Sequence, residues 1–170
     1  MKLNKRPSLL FIQAINFELT YQCNIQCDHC LQQEIRKTCS GKWISTSSVQ
    51  KALTDIRSIG FTPIGVNFTG GEIFLPGSNL PELLETAQSL KIDVRVNTNG
   101  WWGNQVNIGV GSLRFPSASH VVGWLRDLDV SILALSFDQR YEKNSALLDS
   151  VISAIKVCEQ QGQHYHSFKE

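Results

Sequence analysis

The chain is short of charge. Asp, Glu, Lys and Arg make up 18% of its 170 residues, against the usual quarter. The two signs nearly cancel, leaving +1, so no bulk field recruits nucleic acid or a membrane surface. The one basic cluster, Lys2, Lys5 and Arg6, reads as a frayed N-terminus. No apolar run approaches membrane-spanning length. Leu9 to Ile15 follows those basic residues, but it is short, is interrupted by Gln13 and has no small-x-small cleavage site after it. That argues against a signal-peptide core. Tyr21 and Gln22 argue against a lipoprotein-type role for Cys23. A disulfide framework is also missing: the five cysteines are an odd number, and three are crowded together. Such crowding favours metal binding in a reducing cytosol.

What is present is enough for one domain with a sizeable core. Hydrophobic residues are 42% of the chain, which with the low charge suits an α/β protein with well-buried strands. Ile15 to Thr20 reads as a first strand. A helix follows from about Thr46 to Ile59, with Val49, Ala52, Leu53, Ile56 and Ile59 on one face, Ser45 or Thr46 as cap and Gly60 as stop. Ile64 to Thr69 is a second strand. A second helix starts near Pro81, a residue suited to a first helical position. Ile92, Val94 and Val96 alternate with Asp93, Arg95 and Asn97, which predicts a third strand. Trp101 to Pro116 is Gly-rich and aperiodic and reads as a long loop. A third helix from about Ser119 to Leu128, a fourth strand from Val130 to Ser136 and a last helix from about Ser145 to Gln161, stopped by Gly162, complete the pattern.

Strands alternating with helices predict a parallel sheet, whose chemistry gathers at the C-terminal ends of its strands. Every unusual polar cluster lies at such an end: a cysteine loop after the first strand, Gly70-Gly71-Glu72 after the second, Asn97 to Gly100 after the third, and Ser136 to Asp138 after the fourth. The loop is Cys23-Asn24-Ile25-Gln26-Cys27-Asp28-His29-Cys30. Thiolates are soft ligands, and three on one loop can converge on one metal centre. Three is also an incomplete set, since structural zinc and all-cysteine iron–sulfur clusters take four ligands. The loop therefore points to a centre with one position left open.

These residues resemble the radical S-adenosylmethionine (SAM) superfamily. Its hallmark is a Cys-x3-Cys-x2-Cys loop after the first strand, matched by Cys23, Cys27 and Cys30, with His29 where the family more often has Tyr, Phe or Trp. Gly70, Gly71 and Glu72 match its Gly-Gly-Glu turn. Asn97-Thr98-Asn99-Gly100 and Ser136-Phe137-Asp138 also look like the family, and the resemblance covers about Phe17 to Gly162. It implies a partial TIM-type barrel and a 4Fe-4S cluster on the three cysteines, with SAM on the fourth iron. Reductive cleavage of SAM to a 5′-deoxyadenosyl radical would then abstract hydrogen from a substrate. No catalytic side chain beyond the two cofactors is implied. Gly70 and Gly71 would let backbone approach SAM. Glu72 would accept from its ammonium. Asn97, Ser136 and Asp138 would bond ribose hydroxyls or the methionine carboxylate, and His29 would lie against adenine. The substrate class stays open among peptide, protein and small molecule, and an electron donor such as a flavodoxin or ferredoxin is implied. With no second cysteine cluster, an auxiliary iron–sulfur domain is not expected.

Plainer readings stand beside these. Zinc completed by His29 or Cys39 is the rival for the cluster; Cys39 and Cys158 otherwise read as ordinary thiols. The plainer reading of Glu72 is a turn carboxylate, that of Asn99-Gly100 a turn signal where the other is a ligand contact, and that of Asp138 a cap of the last helix. Trp101 and Trp102 form either a lid or loop packing. His164 and His166 read as solvent-facing or strand residues of a frayed end.

The organisation expected is an N-terminal extension over 1–14, the core over 15–162 and a tail over 163–170. Four βα units stand where the family has six; Gln163 to Ser167 is a polar candidate for a fifth strand. This predicts a truncated gene product, a minimal enzyme whose barrel a partner or second copy completes, or a cluster- and SAM-binding module without turnover. The fourth strand would then be an exposed edge, giving oligomers or poor solubility. A cytoplasmic location, with no nucleic acid and no membrane as partner, completes the expectation.

Overall fold

Period-two alternation decides how the strands sit. The computed structural model describes residues 14–28, 30–39, 41–58, 65–137 and 144–167. In chain order its elements are β1 (Ile15–Thr20), α1 (Gln33–Cys39), α2 (Thr46–Ser58), β2 (Val66–Gly70), α3 (Leu80–Ser89), β3 (Val94–Thr98), β4 (Val106–Val110), β5 (Leu113–Ser117), α4 (Ala118–Asp127), β6 (Val130–Leu135), α5 (Ser145–Gln161) and β7 (Tyr165–Ser167). Ile59, Gly60 and Ile64, the expected helix stop and strand start, lie outside the described residues.

Five strands pair in the order β1-β2-β3-β6-β7, every pair parallel. The α/β expectation is borne out. The order never reverses, unlike that of a doubly wound sheet. In register, Phe17, Phe68, Val96, Leu133 and Tyr165 form one row across all five strands. Val49, Leu53, Leu84, Val122 and Val151 of the helices join the same buried cluster as that row's Phe68, Val96 and Leu133. The alternate row is polar on its first three strands: Asn16, Asn67 and Arg95 stand side by side, then Glu18 beside Thr69. Parallel sheets usually bury both faces; here one face carries amides and charges.

Local signals account for the helix ends. Pro81 occupies the first turn of α3. Asn144 caps α5 by accepting from the Leu147 N–H at 3.2 Å. Gly162 ends α5 in the left-handed region at φ 67°, where glycine carries no Cβ penalty. No helix among the described residues is long and apolar enough to cross a membrane.

Two expectations are corrected. Trp101 to Pro116 is not a structureless loop: β4 and β5 form an antiparallel hairpin closed at Gly111-Ser112. Its strands are five residues each, and glycines and a proline mask their alternation. The fourth parallel strand, β6, is not an exposed edge, because β7 pairs with it through Leu133–Tyr165, Ala134–His166 and Leu135–Ser167. One element was not foreseen: α1 has no buried residue and therefore no apolar stripe for periodicity to detect.

The hairpin bears on the site by clamping the segment after Gly70-Gly71-Glu72. The Gly111 N–H donates to the Leu75 carbonyl at 3.0 Å, and the Gly77 N–H donates to the Gly111 carbonyl at 3.3 Å. Gly111 has φ 58°, and a Cβ there would lie 2.4 Å from the Ser78 carbonyl oxygen. Gly111→Ala is therefore expected to destabilise the protein by about 1–3 kcal/mol. Urea unfolding measures it; a loss under about 0.5 kcal/mol would place the mutation with ordinary surface changes and contradict the clamp.

Candidate functional site

The strand ends meet around one carboxylate. β1 and β2 are neighbours, so the turn after β2 comes up against the start of the cysteine loop. The Gly71 N–H donates to the Thr20 carbonyl at 2.7 Å, and the Glu72 N–H to the Gln22 carbonyl at 2.8 Å. The contact is too close for side chains. A Cβ on Gly70 would lie 2.3 Å from Thr20 O, and one on Gly71 would lie 2.0 Å from Gln22 O. The two glycines are thus required by the chain's own backbone, whatever else approaches them.

Glu72 has no exposed surface. Its Oε1 accepts from the Phe74 N–H at 2.8 Å and from Thr98 Oγ1 at 2.9 Å. Its Oε2 accepts from the Asn99 N–H at 2.7 Å. Thr98 Oγ1 also accepts from the Gly100 N–H and from Trp102 Nε1, both at 3.1 Å. Those two donors fill its lone pairs, so its one proton goes to Glu72. Burial pushes the Glu72 carboxyl up to about 7, although the three donors pull it down. Trp102 is fully buried and stacks on Phe74 with centroids 5.6 Å apart, so it is core and not a lid.

Asn99 extends the network to the cysteines. Its Nδ2 lies 3.7 Å from Cys23 Sγ and 2.9 Å from Asn24 Oδ1. Burial pushes the Cys23 thiol up, while the Ile25 backbone, the Arg36 charge and the Asn99 amide act the other way and the Glu72 charge adds to the rise. The Cys30 N–H closes a turn onto the Cys27 carbonyl at 3.1 Å. α1 braces the loop from outside: Gln33 Nε2 donates to the Cys27 carbonyl at 3.3 Å, and Arg36 Nη1 to the Ile25 carbonyl at 3.2 Å. A cavity of about 450 Å³ lies beside Cys23, lined also by Tyr21, Arg36 and Lys37.

Of the residues singled out from the sequence, Gly71 and Glu72 bond the backbone just before the cysteine loop, and Cys23 is linked to Glu72 through Asn99, with Cys27 and Cys30 on the same short loop. Asn97 and Ser136 end neighbouring strands; both side chains are half-buried. The Ser136 N–H donates to the Thr98 carbonyl at 2.8 Å. His29 and Asp138 lie outside the described residues. Cys158 is buried within α5 with its thiol pushed up to about 12, an ordinary core thiol as expected. Thr98 and Asn24 were not singled out, and Asn99 read as a turn or a ligand contact. Only their place beside Glu72 and Cys23 marks them.

Among the described residues no three His, Cys, Asp or Glu side chains stand close enough to hold a single metal ion. A cluster distributes its thiolates over different irons and does not need them to converge on one atom. Three soft thiolates on one loop with a fourth position free fit such a cluster better than a lone zinc ion.

The model of a family described as a 4Fe-4S single cluster domain matches residues 16–151. YydG of Bacillus subtilis (strain 168), a protein named for peptide biosynthesis, is 26% identical over 94 residues, which are 55% of this chain and 28% of YydG. The crystal structure of Streptococcus suis SuiB bound to S-adenosylmethionine aligns with 94% of this chain and 39% of SuiB, at a TM-score of 0.50 and 12% identity. That last likeness is one of fold. The chain spans less than half the length of either protein.

The buried carboxylate makes stability depend on pH. The folded carboxyl, near 7 against an ordinary 4.5, binds more protons than the unfolded one between those values. Its contribution is fully present below about 4.5 and is lost as pH rises through about 7. The expected loss in the cluster-free protein is about 3 kcal/mol, read from urea midpoints between pH 5 and 8. Glu72→Gln should flatten that part of the profile. An unchanged profile in the variant would contradict the assignment.

Proposed function

Because the chain belongs to the 4Fe-4S single cluster domain family, and with it to the radical SAM superfamily, we propose that Cys23, Cys27 and Cys30 bind a 4Fe-4S cluster and that the protein reductively cleaves SAM to begin radical chemistry on a substrate. The observation that carries this reading is the contact path from Cys23 Sγ through Asn99 to Glu72. It joins the cysteine loop, the Gly-Gly-Glu turn and the end of β3 into one constellation. When bound, the cluster and SAM supply the electron and the scissile sulfonium bond; the protein's share is to bind, orient and exclude water.

The residue roles follow from what each group offers. Cys23, Cys27 and Cys30 are the soft ligands. Gly70 and Gly71 present backbone without side chains. Glu72 is enclosed by three donors in the structure, so its role at the ammonium group of SAM rests on the Gly-Gly-Glu motif. Asn97 and Ser136 offer side chains at the open strand ends for the ribose or the carboxylate of SAM. The roles of His29 against adenine and of Asp138 at the ribose rest on the motif alone.

We read the sheet as an arc of a partial barrel. Helices cover its apolar face, and Asn16, Glu18, Asn67, Thr69, Arg95 and Asn97 face the inside. A peptide is the substrate class that the likeness to YydG supports. A flavodoxin or ferredoxin in the cytoplasm would supply the electron.

Anaerobic reconstitution with iron and sulfide, followed by SAM and dithionite, tests the reading through 5′-deoxyadenosine. Product is expected from the unaltered chain and from Cys39→Ala, and none from Cys27→Ala. A cluster without product favours the competing reading, a cluster- and SAM-binding module with no turnover. Bound zinc without acid-labile sulfide would overturn both.

A further inference from the structure

The amide of Asn99 has one orientation open to it, and that orientation aims a donor at a cysteine. Asn99 Oδ1 accepts from the Trp101 backbone N–H at 3.0 Å. A backbone N–H only donates, so the oxygen must lie on that side and the NH₂ group on the other. There Nδ2 meets Asn24 Oδ1 at 2.9 Å and Cys23 Sγ at 3.7 Å. The residue cannot drift from this position easily. It is 6% exposed, and its own N–H is held by Glu72 Oε2 at 2.7 Å. Its neighbour Gly100 is tied to Thr98 on one side, and the Gly100 and Trp101 carbonyls accept from Ser150 Oγ of α5 at 2.9 and 2.7 Å on the other.

We propose that Asn99 is a positioning residue that donates a hydrogen bond to the Cys23 sulfur when that sulfur ligates iron, and thereby raises the reduction potential of the cluster. This rests on the reading above that Cys23 is a cluster ligand. The physical reason is charge. A reduced cluster carries more negative charge on its sulfurs than an oxidised one, and an N–H donor stabilises the more negative state preferentially. Hydrogen bonds to the sulfurs are among the established controls of cluster potential. Asn24 takes one amide hydrogen and so fixes the direction of the other.

The test is an EPR-monitored redox titration of the anaerobically reconstituted full chain, compared with Asn99→Ala and Asn99→Asp. The aspartate variant keeps an oxygen for the Trp101 N–H but replaces the donor with a negative group, so it preserves the turn. Both variants are expected to bind iron and sulfide like the unaltered chain. Each should show a lower potential, with the oxidised-to-reduced ratio at a fixed potential about tenfold higher, or about 59 mV for one electron. The aspartate variant should show the larger shift. A residue that merely shaped the loop would change how much cluster is loaded and not the potential of what is loaded. Unchanged potentials in both loaded variants overturn the inference, as does failure of both to take up a cluster that the unaltered chain binds. Failure of the unaltered chain itself to bind one overturns the cluster reading instead.

Discussion

A carboxylate with no contact to water, bonded by three donors from two strand ends, is the constraint on which the rest of the site depends. Burying an ionised carboxylate costs several kcal/mol unless donors surround it. Glu72 finds one donor in its own turn, at Phe74, and two at the end of β3, at Thr98 and Asn99. It therefore stays buried only while β2 and β3 end side by side. Thr98 closes the circuit through Gly100 and Trp102, and Trp102 returns to the Glu72 turn by stacking on Phe74. A polar network this fully satisfied specifies one arrangement, since a half-satisfied one would be worse than an apolar core.

That arrangement gives the cysteine loop a rigid neighbour. The loop itself is lightly packed: all three of its cysteines are half-buried, and its outer brace, α1, has no buried residue. Its order comes from backbone contacts to Gly71 and Glu72 and from the Asn99 amide. The three thiols thus sit on a lightly packed segment, while Glu72 and Asn99 beside them are buried. A functional site holds its geometry best when its supports lie on rigid elements. The hairpin contributes to the same end by holding Leu75 to Ser78, immediately after the turn.

Much of this was readable from residue order. The strands β1, β2, β3 and β6 and helices α2, α3, α4 and α5 follow from apolar periodicity, caps and stops, because each buries a stripe that its own sequence displays. The cysteine spacing and the Gly-Gly-Glu turn were equally plain. The hairpin was not, since Gly109, Gly111 and Pro116 interrupt strands of five residues. Nor was α1, a helix with nothing to bury. Gln163 to Ser167 was legible only as a polar candidate for a fifth strand; Tyr165 to Ser167 forms it, because a strand three residues long needs only one partner and β6 supplies it.

The sequence by itself determined the alternation of strand and helix, the spacing of three soft thiols at Cys23, Cys27 and Cys30, and the placing of polar clusters at strand ends. These are local properties: period, spacing and residue type are carried by neighbours in the chain. Only the tertiary structure decided that Gly70 and Gly71 are needed against the chain's own Thr20 and Gln22 backbone. It alone decided that Glu72 is sealed under three donors, and that Asn99, 76 residues from Cys23, turns its amide toward that sulfur. Such contacts depend on which strands become neighbours and on how far each strand runs before its turn, and neither quantity is written in any single stretch of the chain.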